Sequence, residues 1–370
     1  MTKKLKYYRL TEILKTNSLY YLIFGQRSNG KTYSVLEYMI KQKIKTGKPS
    51  VLIRRRQEEM RTKFIKDYFL PFTYDTITET NKVYEMSKGK YNHIAYYGGT
   101  FFIGIFDFDE MKWIERDTLC ITASLSTYAN AKGADRGDIS CILFDEFISR
   151  DYLVTEWSAF MNMISTFVRN RDGIPVFLVG NSISLYCPYF REFGINIKEL
   201  EQGKIYTYDY GKEKVSVQWA ESLEGSDSLK YFLGSKSTTA KMISTGKMEI
   251  PCYPHYEKSI DFRNDVLKRF YISFDDDFCC INIVKNVDGL FIYVHNCNKI
   301  PEYSDVYTFT MSPTNDIKNC QAIRQGATRA HVILRQLLEQ GKIYFNDNST
   351  GEFFSAWYKW QMNYSAILKK

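Results

Sequence analysis

Short apolar runs alternate with amphipathic stretches along the first half of the chain. The run Tyr20 to Phe24 (YYLIF) has the length and composition of a strand buried on both faces of a parallel sheet. A glycine-containing loop follows. Val35, Leu36, Met39, Ile40 and Ile44 then recur at helical spacing until Gly47 and Pro49 end the pattern, which predicts a helix from Lys31 to about Ile44. Ser50 to Arg55, Ser140 to Phe144 and Pro175 to Gly180 read as further strands. Between the last two, Trp157, Phe160, Met161, Ile164 and Val168 are spaced by threes and fours, so an amphipathic helix is predicted over Thr155 to Arg169. From Arg61 to Ile121 the pattern is mixed; the aromatic alternation of Tyr91 to Phe106, broken at Gly98 and Gly99, predicts an inserted hairpin.

Strands alternating with helices in this order predict an α/β domain over residues 1–205, with a mainly parallel sheet and right-handed crossovers. Residues 206–250 lose apolar periodicity and carry GSDS and GSKSTTAK, which reads as a linker region. A second, smaller domain is expected over 251–370, with strands around YISF, CCINIVKN, LFIYVHN and VYTFTMS, then helices over Ile323 to Gln340 and Glu352 to Tyr364.

Composition narrows the class. Hydrophobic residues at 44% and aromatic residues at 16% exclude disorder for most of the chain. Every apolar run falls far short of the roughly 18 residues of a membrane helix, and no apolar segment follows the basic N-terminus, so a cytosolic protein without a membrane partner is expected. The eight cysteines form no CxxC pair and read as reduced core thiols; Cys252, His255, His295 and Cys297 are too irregularly spaced to argue for zinc. The net charge of +8 is uneven: residues 1–66 carry +13 and the rest −5. Such a block suits a polyanion but equally suits solvated helix faces.

The sharpest signal is GQRSNGKT, comprising Gly25, Gln26, Arg27, Ser28, Asn29, Gly30, Lys31 and Thr32. It matches GxxxxGK[ST] between a buried strand and a helix. Glycines let the backbone wrap a phosphate, successive N–H groups and the helix N-terminus supply positive dipoles, Lys31 adds a full charge, and Thr32 offers a hydroxyl to Mg²⁺. The strand CILFDE ends in Asp145, suited to hold the metal, and Glu146, suited to polarise an attacking water. Asn181, just after PVFLVG, is positioned to sense a γ-phosphate or to cap a turn. Arg169 and Arg171 follow the amphipathic helix, and guanidinium is the group that best neutralises a transferring phosphoryl. Lys132 and Arg136 lie in a glycine-containing loop ahead of the acidic strand. Arg54, Arg55 and Arg56 read as either a solvated strand end or a phosphate contact.

YLIFGQRSNGKTY, VLIRRR, ILFDEFISRD, the helix ending FVRNR, and VGNSISLYCPYF together resemble the DNA-packaging ATPases of phi29-like tailed phages. VYTFT and ATRAHVILRQLLEQGKIYFNDN are similar to that family's second domain. The resemblance implies an additional-strand P-loop ATPase fold with sheet order 5-1-4-3-2, followed by a C-terminal RNase H-like domain. It places the phosphate-binding lysine on Lys31, the Mg²⁺ carboxylate on Asp145, the catalytic glutamate on Glu146, a trans-acting arginine finger on Arg169, and a second trans-acting basic residue on Lys132. It further implies ATP and Mg²⁺ as cofactors, double-stranded DNA as partner, and a homo-oligomeric ring, a pentamer in the family. The ring would act at a procapsid portal with a possible structural RNA, in the host cytoplasm and transiently on the procapsid. The segment from Arg61 to Ile121 is longer than the family pattern. The acids Asp275, Asp276, Asp277 and Asp288 lack the spacing of a two-metal nuclease, so no nuclease activity is expected.

The function expected is ATP-driven translocation of double-stranded DNA, over phosphate contacts rather than bases and therefore weakened by salt. The alternatives are another DNA-acting P-loop ATPase, such as a helicase or loader, and a ring component that binds nucleotide without hydrolysing it. No NKxD specificity motif follows the loop, which argues against a GTPase.

Overall fold

The computed structural model describes residues 7–75, 79–127, 137–149, 151–153, 156–169, 171–182, 187–223, 252–274, 277–301, 307–310, 319–320 and 328–367. The chain divides into two compact units, Met1–Met248 and Glu249–Lys370. Among the described residues no helix is long and apolar enough to cross a membrane.

The first unit is built on β1 (Tyr20–Gly25), β2 (Ser50–Arg54), a two-residue ladder of β3 (Tyr74–Asp75) with β4 (Thr80–Asn81), then β5 (His93–Tyr97), β6 (Thr100–Asp107), β7 (Lys112–Ser124), β8 (Ile142–Asp145), β9 (Val176–Asn181), β10 (Ile205–Tyr210) and β11 (Glu213–Ala220). Its main sheet has the order β10-β11-β1-β9-β8-β2-β7-β6-β5. The strands from β11 to β7 run parallel, and antiparallel partners close both edges. Numbering β1, β2, β8, β9 and β11 in chain order gives 5-1-4-3-2.

Alternation along β1 explains the two layers. Leu22 and Phe24 face one core with Phe160, Met163 and Phe167 of the Glu156–Val168 helix. Tyr21 and Ile23 face the other, with Val35, Leu36, Met39 and Ile40 of the Lys31–Thr46 helix. Full burial of one such side chain is worth about 1.5–3 kcal/mol, so both faces contribute to anchoring the strand.

Two regions depart from the sequence expectation. Residues 205–220 were expected at the end of the first domain and in a linker from 206; instead β10 and β11 are sheet strands, and β11 lies parallel to β1. The pattern misled because Ser216 is fully buried, with its hydroxyl 2.8 Å from that of Ser18, so a polar residue stands at a core position. The inserted segment after Arg61 adds three strands to the sheet, with the expected β5–β6 hairpin turning at Gly98 and Gly99 and β7 pairing parallel with β2. The remainder of the expected linker, residues 224–250, lies outside the described residues.

The second unit holds a sheet of β12 (Val266–Phe274), β13 (Asp277–Asn286), β14 (Gly289–Asn296), β15 (Tyr307–Thr310), β16 (Asn319–Cys320) and β17 (Ile343–Phe345), in the order β16-β15-β12-β13-β14-β17. β12, β13 and β14 form an antiparallel meander, whereas β15, β16 and β17 join in parallel. The Arg329–Glu339 helix buries Leu334 and Leu337, and the Asn348–Ile367 helix buries Phe353, Phe354 and Trp357. Asp288 accepts hydrogen bonds from the Tyr256 hydroxyl and the Lys258 ammonium, both at 2.5 Å. His255 contacts the Phe345 carbonyl and the Asn348 amide oxygen. Asp275 and Asp276 lie outside the described residues.

Candidate active site

The loop after β1 leaves the sheet at Gly25, whose φ is +148° and where an added Cβ would lie 2.9 Å from the Ala220 carbonyl oxygen on β11. Only glycine meets both demands without strain. Gly30, also left-handed at φ +94°, opens the Lys31–Thr46 helix. The loop is braced by its own amides. The Gln26 side-chain oxygen accepts from the Leu223 N–H at 2.5 Å, and Asn29 donates to the Glu221 carbonyl at 3.3 Å. The preceding chain crosses it, with the Tyr8 N–H donating to the Asn29 carbonyl at 2.9 Å.

Lys31 is buried, and its ammonium donates to the Gln26 carbonyl at 2.6 Å and the Asn29 side-chain oxygen at 2.9 Å. Burial lowers its pKa to about 7, against an opposing pull from the Asp145 carboxylate. The Thr32 hydroxyl donates to Asp145 Oδ1 at 3.0 Å. Loop, Lys31, Thr32, Asp145, Glu146 and Asn181 line one cleft of about 340 Å³. Asn181 is brought there by the sheet, since it pairs in register with Gly25. Arg27 and Ser28 line the cleft as well.

The acidic wall is held by residues that the sequence reading left undecided or missed. Arg54 and Arg55 are buried, which corrects the reading of a solvated strand end. Because β2 lies parallel to β8 with Ile53 opposite Phe144, Arg54 falls beside Asp145. Its guanidinium donates to Asp145 Oδ2 at 3.0 Å, Glu146 Oε2 at 2.8 Å and Glu59 Oε2 at 2.8 Å. Tyr68, from the inserted segment, accepts from Arg54 at 2.6 Å and donates to the same Asp145 Oδ2 at 2.7 Å. Burial pushes the Asp145 carboxyl upward in pKa, while Arg54, Tyr68 and Thr32 favour its ionised form. Three arginines at the end of one strand and two acids ending another were the available signal for Arg54; nothing local marked Tyr68.

Arg55 donates to Glu156 from Nε at 2.9 Å, to the Glu146 carbonyl at 2.9 Å and to the Phe147 carbonyl at 2.8 Å. Glu156, the first residue of its helix, also accepts from the Tyr189 hydroxyl at 2.9 Å. Glu146 has a φ of +62°, rare for a residue with a side chain.

Arg169 is not among the cleft residues. It follows the Glu156–Val168 helix, which at 1.5 Å per residue puts it roughly 20 Å along from the end that Arg55 anchors. Arg171 pairs with Asp138 at 2.8 Å. Lys132 and Arg136 lie outside the described residues.

The hydroxyl of Thr32 and the carboxylate of Asp145 are adjacent hard oxygen donors, a set that suits Mg²⁺. The arrangement can bind a polyphosphate on backbone amides and a lysine, with an acid beside it to take a proton from water.

The DNA packaging protein of Bacillus phage phi29 is 23% identical over 234 residues, covering 60% of this chain and 63% of that relative, so the match spans less than two thirds of its length. A solved structure of the Phi-28 gp11 DNA packaging motor superposes with a TM-score of 0.56 at 17% identity, covering 96% of this chain and 98% of that one. The bacteriophage Phi-29 viral genome packaging motor assembly gives 0.56 at 18% identity, covering 95% and 99%. At these identities the structural likeness is one of fold. Residues 1–230 match the family of the Podovirus DNA encapsidation protein (Gp16), and with most of its length so matched, this chain belongs to that family.

Proposed function

We propose that this chain is the ATP-hydrolysing subunit of a motor that drives double-stranded DNA into a viral procapsid. The observation that carries the reading is one cleft in which a phosphate-binding loop faces Asp145 and Glu146, in a member of a DNA encapsidation family.

In this reading the loop amides and Lys31 bind the triphosphate. Lys31 exchanges its bonds to Gln26 and Asn29 for phosphate oxygens, so its buried charge gains the counter-charge it lacks. Thr32 and Asp145 would hold Mg²⁺, which when bound supplies neutralising charge to the phosphates. Glu146 takes the proton of the attacking water. Its carboxylate is tied to Arg54 here, so hydrolysis requires that bond to loosen. Asn181 hydrogen-bonds the γ-phosphate and reports its loss through β9 to the rest of the sheet.

Arg169 serves a neighbouring subunit's cleft, with Lys132 in a supporting role, so the active form is a homomeric ring, five-membered by family resemblance, at the procapsid portal in the host cytoplasm. A structural RNA can join that assembly. DNA is gripped by its phosphates, independent of sequence. The second unit is RNase H-like in this reading: numbered from β12, its first five strands lie in the order 5-4-1-2-3. The absence of a carboxylate from the central strand Val266–Phe274 supports a domain without nuclease activity.

The test is ATP turnover with and without DNA by the wild type, Lys31→Ala, Arg169→Ala and an equimolar mixture of the two variants. Each variant alone is expected to be inactive, and the mixture to recover part of the activity because intact Arg169 meets intact Lys31 across a boundary. A silent mixture, or full activity of Arg169→Ala alone, refutes the shared site.

A further inference from the structure

Behind Glu146 lies a second arginine, Arg55, which touches that residue through its backbone carbonyl. Arg55 is 4% exposed and Glu156 2%, so the pair is desolvated on both sides. A buried pair of this kind adds little net stability over well-packed apolar residues, and conformational specificity is a better account of its presence. The geometry says what is specified. The guanidinium grips Glu156 on one edge, stacks 5.6 Å from the Phe144 ring and 5.1 Å from the Tyr152 ring, and sends its remaining donors to the carbonyls of Glu146 and Phe147. From the other side, the Phe147 N–H donates to the Val179 carbonyl of β9 at 3.1 Å. Between these two clamps sits Glu146 in its left-handed conformation, which costs a residue with a Cβ about 1–2 kcal/mol.

We infer that Arg55, anchored by Glu156, is a positioning residue for ATP hydrolysis, holding the backbone of Glu146 in the left-handed conformation that aims its carboxylate into the cleft. Arg54 governs where the carboxylate goes; Arg55 governs whether the residue bearing it faces the cleft at all. The inference rests on the reading of Glu146 as the residue that takes the proton from water. Lysine cannot substitute, because a single ammonium can meet Glu156 but cannot fork to two carbonyls as well.

The test uses the full chain with Arg55→Lys and Glu156→Gln, measuring steady-state ATP turnover, affinity for a fluorescent ATP analogue with Mg²⁺, and hydrogen exchange over residues 142–149. Arg55→Lys is expected to lower kcat by about 10²-fold, the scale of a misplaced catalytic group, with analogue affinity within about twofold of wild type. Exchange over 142–149 is expected to accelerate more than in the other central strands. Glu156→Gln is expected to move kcat and exchange in the same direction by less, again with analogue affinity near wild type, and carries the test alone if Arg55→Lys fails to fold. Unchanged kcat, or a loss of affinity as large as the loss of kcat, overturns the inference. A wild type that turns over no ATP refutes the proposed function instead. The exchange comparison then decides the backbone clamp by itself, and unaltered protection over 142–149 refutes it.

Discussion

The two walls of the cleft are built by opposite means. The phosphate-binding wall takes its shape from consecutive residues, Gly25 to Thr32, whose conformations are set by two left-handed glycines and by the start of a helix. The acidic wall takes its shape from residues distant in sequence: Arg54 and Tyr68 converge on two adjacent acids, and Arg55, anchored by Glu156, holds the backbone of the second. The first wall is a local motif that presents dipoles and one charge. The second is a tertiary network in which Arg54, Arg55, Asp145 and Glu156 are buried and Glu146 reaches the cleft. On the function proposed, binding belongs to the local wall and control of turnover to the distributed one, and substitutions separate them.

The largest effect is expected on the local wall, where Lys31→Ala removes both affinity and turnover; ATP binding by titration calorimetry checks it, and retained micromolar binding breaks the division. Next, Glu146→Gln keeps nucleotide affinity while kcat falls about 10²–10⁴-fold, the range for losing a positioned base. Steady-state assays beside a binding titration distinguish the two. On stability the ordering reverses. Arg55→Ala leaves the buried Glu156 carboxylate without its counter-charge and is expected to cost about 3–5 kcal/mol in denaturant unfolding, whereas Gly25→Ala, strained against Ala220, costs about 1–3 kcal/mol.

The smallest effect is protonic. In the free protein Lys31 has a pKa lowered to about 7 by burial, so between that pH and the ordinary lysine range the folded chain binds fewer protons than the unfolded one. Its contribution to stability therefore rises with pH across that window. A bound triphosphate restores the charged form, so nucleotide binding at pH 8 is accompanied by proton uptake and the pH slope flattens. Calorimetry in buffers of different ionisation enthalpy measures it, and a buffer-independent binding enthalpy excludes it.

What the sequence made legible follows the same division. The loop, β1, β8, β9 and their helices were readable because apolar runs and helical spacing carry over a dozen residues. Lys31, Thr32, Asp145 and Asn181 came together because the sheet sets Gly25 opposite Asn181 and Asp145 opposite Val179. Tyr68 was invisible, since its role exists only once the inserted segment folds against β8. Arg54 and Arg55 were ambiguous because burial, which converts a charged strand end into a clamp, is a property of neighbours. β11 was missed because Ser216, at a core position, is satisfied by Ser18, 198 residues away, and by Thr207 on the neighbouring β10.

The phosphate-binding loop is closed by β11 and the residues just after it, the last strand of the first unit among the described residues. Gly25 packs on Ala220, Asn29 reaches Glu221, and Gln26 reaches Leu223. A nascent chain arrested before Glu213 would thus carry the whole motif yet no finished pocket, because contacts of such long sequence separation form late. Translation past residue 223 thus sets the moment at which the loop acquires its bracing.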